Sequence, residues 1–185
     1  MARRGPRRSG YADRMTTLIL TVAGADRPGL VAAVADVVDA HGGNWENSSL
    51  AELAGTFAGV IEVSVAADRS DELQTALRGL QGQGLLTLAV LTGTPDDDAE
   101  DEQRLEIRVL GNDRSGIVRE VSNVLNAHEL SIEELATETR DAAMAGGRLF
   151  EASVIARVPS SVDIDALRRD LERIATEIQV DITLA

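Results

Sequence analysis

Cysteine and lysine are both missing from this 185-residue chain, and aromatic residues make up only 2% of it. Without cysteine the chain can form no disulfide, no thiolate zinc site and no cysteine nucleophile. Without lysine it has no Schiff-base residue and no P-loop lysine, because all 18 basic residues are arginine. We therefore expect cores that are filled by valine, leucine, isoleucine and alanine.

Long apolar segments are missing as well. No run approaches the roughly 20 residues that a membrane helix needs. The first fifteen residues contain five arginines but lack the apolar region of a signal peptide. We therefore expect a cytoplasmic protein that has no membrane partner.

Catalytic motifs are also lacking. The sequence contains no G-x-S-x-G, no G-x-G-x-x-G and no G-K-S/T. Its two histidines, His41 and His128, fall at the ends of two predicted helices, where an imidazole can donate to the last carbonyls. The acidic run at 96–98 does not have the spacing of an EF-hand loop. We predict no enzymatic activity, no metal site and no cofactor.

Charge is distributed unevenly along the chain. The formal net charge is −13, and residues 1–15 carry five arginines and one aspartate, so residues 16–185 carry −17. A body this acidic repels a phosphate backbone instead of releasing its counterions. We therefore expect a disordered arginine-rich tail at 1–15 and a folded body that does not bind nucleic acid directly.

A duplicated domain is the clearest positive signal in the sequence. At a shift of 87 residues, GADRPGLV at 24–31 aligns with GNDRSGIV at 111–118, and twelve of the 29 positions from 18 to 46 are identical. The repeat predicts a first domain at 16–92 and a second at 104–185. The acidic segment 93–103 is expected to link them.

Each copy is predicted to have the element order β-α-β-β-α-β. Alternating apolar residues from 18 to 23 indicate a strand, and valines at helical spacing follow a loop. Asp26 is expected to lie just before the helix and Pro28 in its first turn, because both are favourable start residues. The later strands are predicted at 45–53, 57–65, 85–92, 132–139, 148–158 and 180–184, with a hairpin extension at 140–147. With right-handed crossovers, this order predicts an α+β fold: two tandem ferredoxin-like βαββαβ sandwiches, each with an antiparallel four-stranded sheet.

The repeated Gly-x-Asp-Arg-x-Gly loop allows two interpretations. Free N–H groups at a helix N-terminus can hold a carboxylate, and Asp26 can accept from an ammonium group. Alternatively, the aspartate caps the helix, Arg27 and Arg114 form surface ion pairs, and the glycines serve the turn. The residues alone favour neither interpretation.

The loop in this setting resembles that of the ACT domain family, and the resemblance covers nearly all of residues 16–185. Within the family, two units without a catalytic domain are similar to the glycine cleavage system transcriptional repressor group, as are the segments 131–135 and 144–151. The resemblance implies an ACT-type regulatory protein that binds a small amino acid and acts through a protein partner. It also implies units that pair through their sheets, with effectors at the domain interface, and a homodimer.

The resemblance implies ligand contacts from the loop and from the start of the second strand in each copy. These residues are Asp26, Arg27, Pro28, Gly29, Leu30 and Asn44 in the first copy, and Asp113, Gly116, Ile117 and Ser131 in the second. Gly24 and Gly111 depart from members of the family that carry a side-chain ligand there. Two alternatives stay open: a ligand-free interaction adaptor, and a regulatory subunit of an amino-acid-metabolising enzyme.

Overall fold

The chain folds into two separate units. In each unit the strands have alternating burial, and the helices have valine and leucine at helical spacing. The computed structural model describes residues 15–82, 84, 86–93, 103–141 and 147–184, and the chain divides into the two units between Asp96 and Asp97. Most of the predicted tail, the linker and the centre of the predicted hairpin extension lie outside the described residues.

Both units have the predicted element order. Unit 1 consists of β1 (Met15–Ala25), α1 (Leu30–Ala40), β2 (Asn44–Leu53), β3 (Thr56–Ala66), α2 (Ser70–Gly82) and β4 (Thr87–Thr92), with a short 3-10 turn at Ala67–Arg69. Unit 2 consists of β5 (Gln103–Asn112), α3 (Ile117–Ala127), β6 (Ser131–Asp141), β7 (Arg148–Val158), α4 (Ile164–Ile178) and β8 (Val180–Leu184). The strand orders are β2-β3-β1-β4 and β6-β7-β5-β8, and every pairing is antiparallel. The predicted fold class is thereby confirmed.

Each sheet packs its two helices on one face. In unit 1 the alternating strand residues Leu18, Leu20 and Val22 are fully buried against helix residues such as Leu73 and Leu77. Burial of a leucine or valine contributes roughly 1.5–3 kcal/mol, so this face accounts for most of the stabilisation of the unit. The intervening strand residues point away from the helices. We call this side the open face of each sheet.

The first helix of each unit begins later than its sequence predicts. Gly29 has a φ of 91° and is the N-cap of α1, and Gly116 has a φ of 98° and is the N-cap of α3. A residue in the left-handed region cannot be part of a right-handed helix, so the helix begins directly after the glycine. The prediction that Pro28 lies in the first turn of the helix is therefore wrong, and neither helix has a side-chain cap.

The two histidines occupy equivalent C-cap positions but have different partners. His41 Nδ1 donates to the carbonyl of Val37 at 2.8 Å, as predicted for a helix end. His128 instead donates from Nε2 to the Asp170 carboxylate at 2.9 Å. In the described part of the chain, no helix combines the length and the apolar character required to cross a bilayer.

Candidate functional site

The loop between β1 and α1 is held at both of its sides by backbone and arginine contacts. The N–H of Asp26 donates to the carbonyl of Gly55 in the β2–β3 turn at 2.9 Å. Arg27 Nη2 donates to the carbonyl of Gly84, just beyond α2, at 3.0 Å. Arg27 was predicted to contact a ligand, but here it ties the loop to the end of the neighbouring helix.

Unit 2 repeats this arrangement. The N–H of Asp113 donates to the carbonyl of Arg148 at 2.8 Å, and Arg114 Nε reaches the carbonyl of Ile178 at the end of α4 at 3.4 Å. Arg114 Nη2 also pairs with Glu120 at 3.0 Å. A cation next to the last carbonyls of a helix is favourable because those groups carry partial negative charge. The loop arginine thus has the same structural role in both units.

The N-termini of α1 and α3 differ in their electrostatics. Neither helix has a side-chain cap, so the N–H groups of the first turn are available to an anion. The first turn of α1 contains no acidic residue, whereas that of α3 contains Glu120. Leu30 and Ile117 are 4% and 2% exposed, so each offers a ligand only its backbone N–H. The N-terminus of α1 is the better place for a carboxylate.

The loop of unit 2 borders an open pocket. The pocket has a volume of about 490 Å³, and Asp113, Gly116 and Ile117 line it together with Thr139 and Phe150. Three of the four residues predicted for the second copy therefore lie together. Ser131 does not line this pocket.

Asn44 lies far from the loop of its own unit. Asn44 pairs with Ser64, and Ser64 pairs with Thr17 near the start of β1, whereas Asp26 follows the last residue of that strand. The eight strand positions from Thr17 to Ala25 correspond to about 26 Å. The Asp26 loop and Asn44 of one unit are therefore too far apart to contact the same small ligand. In unit 2 the pairing of Ser131 with Arg157, and of Arg157 with Arg104, separates Ser131 from Asp113 in the same way.

A glutamate beside Asn44 was missed from the sequence. Glu46 lies at a β-bulge on the open face, where the Asn44 amide donates to its carboxylate at 2.9 Å and the Ser64 hydroxyl also donates to it. These two hydrogen bonds, that of Ser64 first, lower the pKa of Glu46. The identity of Glu46 with Glu133 in the repeat was the available signal.

Gly111, at a position where some family members carry a side-chain ligand, has no room for a side chain. A Cβ placed there would lie 2.5 Å from a methyl group of Val180 and 2.9 Å from its Cα. The glycine is therefore required by the close approach of β8 to β5. Among the described residues, no three or more acidic and histidine side chains are grouped to hold a metal.

Comparisons with known proteins agree with the fold of the two units. Residues 16–91 match the family model described as ACT domain. The glycine cleavage system transcriptional repressor of Escherichia coli (strain K12) is 24% identical over 163 residues, covering 87% of this chain and 85% of the repressor. UPF0237 protein MK1213 of Methanopyrus kandleri is 43% identical over 68 residues, covering 34% of this chain and 76% of that protein. The crystal structure of an unknown protein from Galdieria sulphuraria superposes on this chain with a TM-score of 0.81. The two chains are 30% identical, and the match covers 92% of this chain and 98% of the other.

Proposed function

Because the chain belongs to the ACT domain family, we propose that it is a non-enzymatic regulatory protein that binds a small amino acid and acts through a protein partner. The match to the glycine cleavage system transcriptional repressor extends over both units, which supports a role as an accessory regulator of amino-acid metabolism in the cytoplasm, glycine metabolism included. The observation that carries the proposal is the uncapped N-terminus of α1 next to the carboxylate of Asp26.

A free amino acid carries its carboxylate and its ammonium group on the same Cα, and the first loop can receive both. The free N–H groups of α1 suit the carboxylate, because the positive end of the helix dipole lies there. The Asp26 carboxylate has no hydrogen bond or ion pair with any described residue, so it is available to the ammonium group. A Cβ placed on Gly29 would have no described atom within 4 Å, which leaves space for a ligand.

Asn44 can contact the same ligand only from a second unit. β2 is an edge strand, and its far end at Leu53 adjoins the Gly55 turn that holds Asp26. If two such edges pair antiparallel, Asn44 of one unit lies beside the loop of the other. Unpaired edge strands are also prone to aggregation, which favours pairing. We therefore propose a homodimer, and a monodisperse monomer at high concentration in light scattering contradicts it.

Unit 2 also offers a surface that suits a protein partner. Val118, Ile132 and Leu135 are 41%, 38% and 43% exposed, and they border an apolar cavity that lies between α3 and the β6–β7 edge. Apolar side chains that become buried at an interface dominate the energy of many protein complexes. This surface also favours the second candidate function, a ligand-free interaction adaptor.

A thermal-shift screen of the twenty amino acids against the full chain distinguishes the two functions. A ligand at 100 times its dissociation constant adds about 2.7 kcal/mol to the free energy of unfolding. We expect one or a few small amino acids to raise the melting temperature, and a measurable heat of binding in calorimetry. If none of the twenty does so, the adaptor function is favoured.

Two substitutions test the position of the ligand. Removing a charged hydrogen-bonding partner costs roughly 1.5–3 kcal/mol, or about ten- to a hundredfold in affinity. The double variant Asp26→Asn with Asn44→Ala is therefore expected to lose most of its affinity and to melt near the parent temperature. Asp36→Asn with Asn47→Ala is the matched control, because Asp36 is exposed on α1 and Asn47 makes an analogous bond to Glu62. If the Asp26 and Asn44 variant binds as the parent does, the site assignment is wrong.

A regulatory role in transcription must then pass through another protein. With −17 on residues 16–185, we expect no sequence-specific binding of duplex DNA by a chain that begins at residue 16, at physiological salt. A mobility-shift titration with specific and scrambled duplexes measures this. Saturable binding that prefers one duplex contradicts the proposal.

A further inference from the structure

One glutamate occupies the same bulge in both units. Glu46 falls at the register shift between Trp45 and Asn47 in β2, and Glu133 falls at the register shift between Ile132 and Glu134 in β6. The two glutamates are also equivalent in the repeat of 87 residues. Each carboxylate lies on the open face of its sheet, so the two units can be compared directly.

In unit 2 this carboxylate receives two guanidinium groups from its own sheet. Arg104 Nε donates to Glu133 Oε2 at 2.8 Å, and Arg157 Nε lies 3.2 Å from Oε1. The side chain of Glu133 is only 23% exposed, so these ion pairs are partly shielded from solvent. Unit 2 therefore shows that the glutamate at the bulge pairs with guanidinium groups when arginines are within reach.

In unit 1 both arginines are replaced by neutral residues. The strand register makes Thr17 the equivalent of Arg104 and Ser64 the equivalent of Arg157. The four strands of unit 1 contain no arginine, and the described residues provide no salt bridge to Glu46. Hydrogen bonds from Ser64 and Asn44 lower the pKa of Glu46 and keep it ionised.

A second carboxylate lies next to Glu46. Glu62 is close to Ser64 on the same strand, where it pairs with Asn47 in register and accepts from the Asn47 amide at 2.8 Å. Its partner is again neutral. Two carboxylates therefore share one corner of the sheet, and their hydrogen-bond partners among the described residues are amides and a hydroxyl.

We propose that the arginine-rich segment 1–14 of the same chain binds this corner and supplies the guanidinium group that unit 2 obtains from Arg104 and Arg157. β1 begins at this end of the sheet, because Met15 pairs with Ala66 and Thr17 pairs with Ser64, so the segment is attached to the chain here. The distance from Met15 to the Ser64 row is only about 7 Å along the strand.

Charge and reach agree with this assignment. Residues 1–14 hold five arginines and one aspartate, whereas the body that follows carries −17. Six extended residues span about 20 Å, so arginines well upstream of residue 14 also reach the corner. A guanidinium matches a carboxylate in a fork geometry that an amide or hydroxyl cannot provide. Because the segment is tethered beside its site, its effective concentration there is high.

Trypsin provides the test, because it cleaves after arginine and the full chain contains no lysine. Cleavage within residues 3–14 of the native full chain is followed by mass spectrometry. Glu46→Gln with Glu62→Gln is expected to accelerate this cleavage roughly tenfold, since charge-assisted hydrogen bonds are lost. Glu134→Gln with Glu138→Gln removes the same charge from β6 of unit 2 and is expected to leave the rate unchanged.

A second variant keeps both carboxylates. Ser64→Arg places an arginine at the position of Arg157, so it pairs with Glu46 within unit 1 and is expected to release the segment to the same extent. Ala51→Arg adds the same charge to the exposed far half of β2 and is the control. This variant guards against loss of folding in the Glu46 and Glu62 variant, because it keeps both carboxylates and replaces the hydrogen bond from Ser64 to Glu46 with an ion pair.

Three outcomes overturn the proposal. The first is a tail cleavage rate that neither Glu46→Gln with Glu62→Gln nor Ser64→Arg changes. The second is equal acceleration by the control variants, which indicates non-specific charge attraction. The third is protection that increases with protein concentration, which assigns the arginines to a second copy of the chain.

Discussion

The two units share one fold but expose very different open faces. The strands of unit 1 contain no arginine, and their open face is formed mainly by threonine, serine, alanine and apolar residues such as Val60 and Leu91. The strands of unit 2 contain five arginines, at positions 104, 108, 140, 148 and 157, which pair with neighbouring carboxylates. The core faces, in contrast, are alike: Leu18, Leu20 and Val22 correspond to Leu105, Ile107 and Val109.

This difference shows which parts of the fold are dictated by packing and which are free to change. Core positions must be apolar and of similar volume, because the interior is close-packed. An open face only has to satisfy its polar groups, and unit 2 does this within its own sheet. Unit 1 leaves Glu46 and Glu62 without a cation from its strands. The face of unit 1 is therefore the one adapted to receive another segment.

The largest effect that we expect from exchanging equivalent residues between the two units is at Gly59. Gly59 pairs with Val22, and the equivalent Ala152 pairs with Val109. A Cβ at Gly59 would lie 2.0 Å from the carbonyl oxygen of Ser49, so β2 must move to admit it. We expect Gly59→Ala to lower the free energy of unfolding of unit 1 by about 3 kcal/mol.

The reciprocal change provides the control for that prediction. Ala152→Gly in unit 2 is expected to cost only about 1 kcal/mol, because it removes one methyl group and adds backbone freedom. Urea denaturation of both variants measures the difference. Equal losses for Gly59→Ala and Ala152→Gly contradict the close approach of β2 and β3 at Gly59.

The second prediction converts the open face of unit 2 to the pattern of unit 1. Arg104→Thr with Arg157→Ser removes both cations from Glu133 and leaves its carboxylate partly buried. We expect a loss of about 1–2 kcal/mol in the free energy of unfolding, reduced by solvent screening at Arg104, which is 70% exposed. Arg168→Gln with Arg169→Gln, on the outer side of α4, removes the same charge and is expected to be nearly neutral. A similar loss in both double variants rules out a specific role for the Glu133 ion pairs.

The third prediction tests a feature that the units share. Gly29 and Gly116 both occupy the left-handed region at the helix N-cap, where a Cβ is strained. We expect Gly29→Ala and Gly116→Ala each to cost about 1 kcal/mol, measured by urea denaturation. No described atom beyond the adjacent residues lies within 4 Å of a Cβ at Gly29, so its cost comes from the local backbone conformation alone. A much larger loss at Gly29 contradicts this explanation.

The element order could be predicted from the sequence because the local signals agree with the global fold. The alternation at Leu18, Leu20 and Val22 identifies a strand, and β8 was predicted with the bounds that the structure has. The start of α1 was predicted too early because aspartate and proline are common helix-start residues, whereas the conformation of Gly29 determines the start. Gly29 belongs to a loop that is also held by the bond between Asp26 and Gly55, which is a contact between distant residues.

The candidate site was only partly predictable. The loop residues were identified from the repeat, but their separation from Asn44 follows from topology. β1 and β2 run in the same direction, so the start of β2 is level with the start of β1 and lies at the other end of the sheet from the Asp26 loop. The bulge at Glu46 is not visible as a break in alternation, because the residues around it are nearly all polar. Comparison of the two copies at Glu46 and Glu133 would have directed attention to it.

The smallest effect that we expect concerns a contact present in unit 2 alone. The hydrogen bond from His128 is the main cause that lowers the pKa of Asp170 below its ordinary value of 3.8, and Arg173 adds to it. A carboxyl group with a lowered pKa in the folded state contributes stability above the ordinary pKa and loses it as the pH falls through the lowered value. In unit 1 the equivalent His41 donates to the backbone carbonyl of Val37 instead of to a carboxylate.

We therefore expect Asp170→Asn to reduce the loss in the free energy of unfolding of unit 2 as the pH is lowered. The urea midpoint of the parent should fall more between pH 5 and about pH 3 than that of the variant, and the difference between the two chains should vanish at the lowest pH. Asp181→Asn, on the exposed side of β8, removes the same charge without a histidine partner and serves as the control. A parent and an Asp170→Asn variant whose midpoints decline in parallel would show that the His128 contact adds nothing to the stability of unit 2, and the two units would then respond to acid alike.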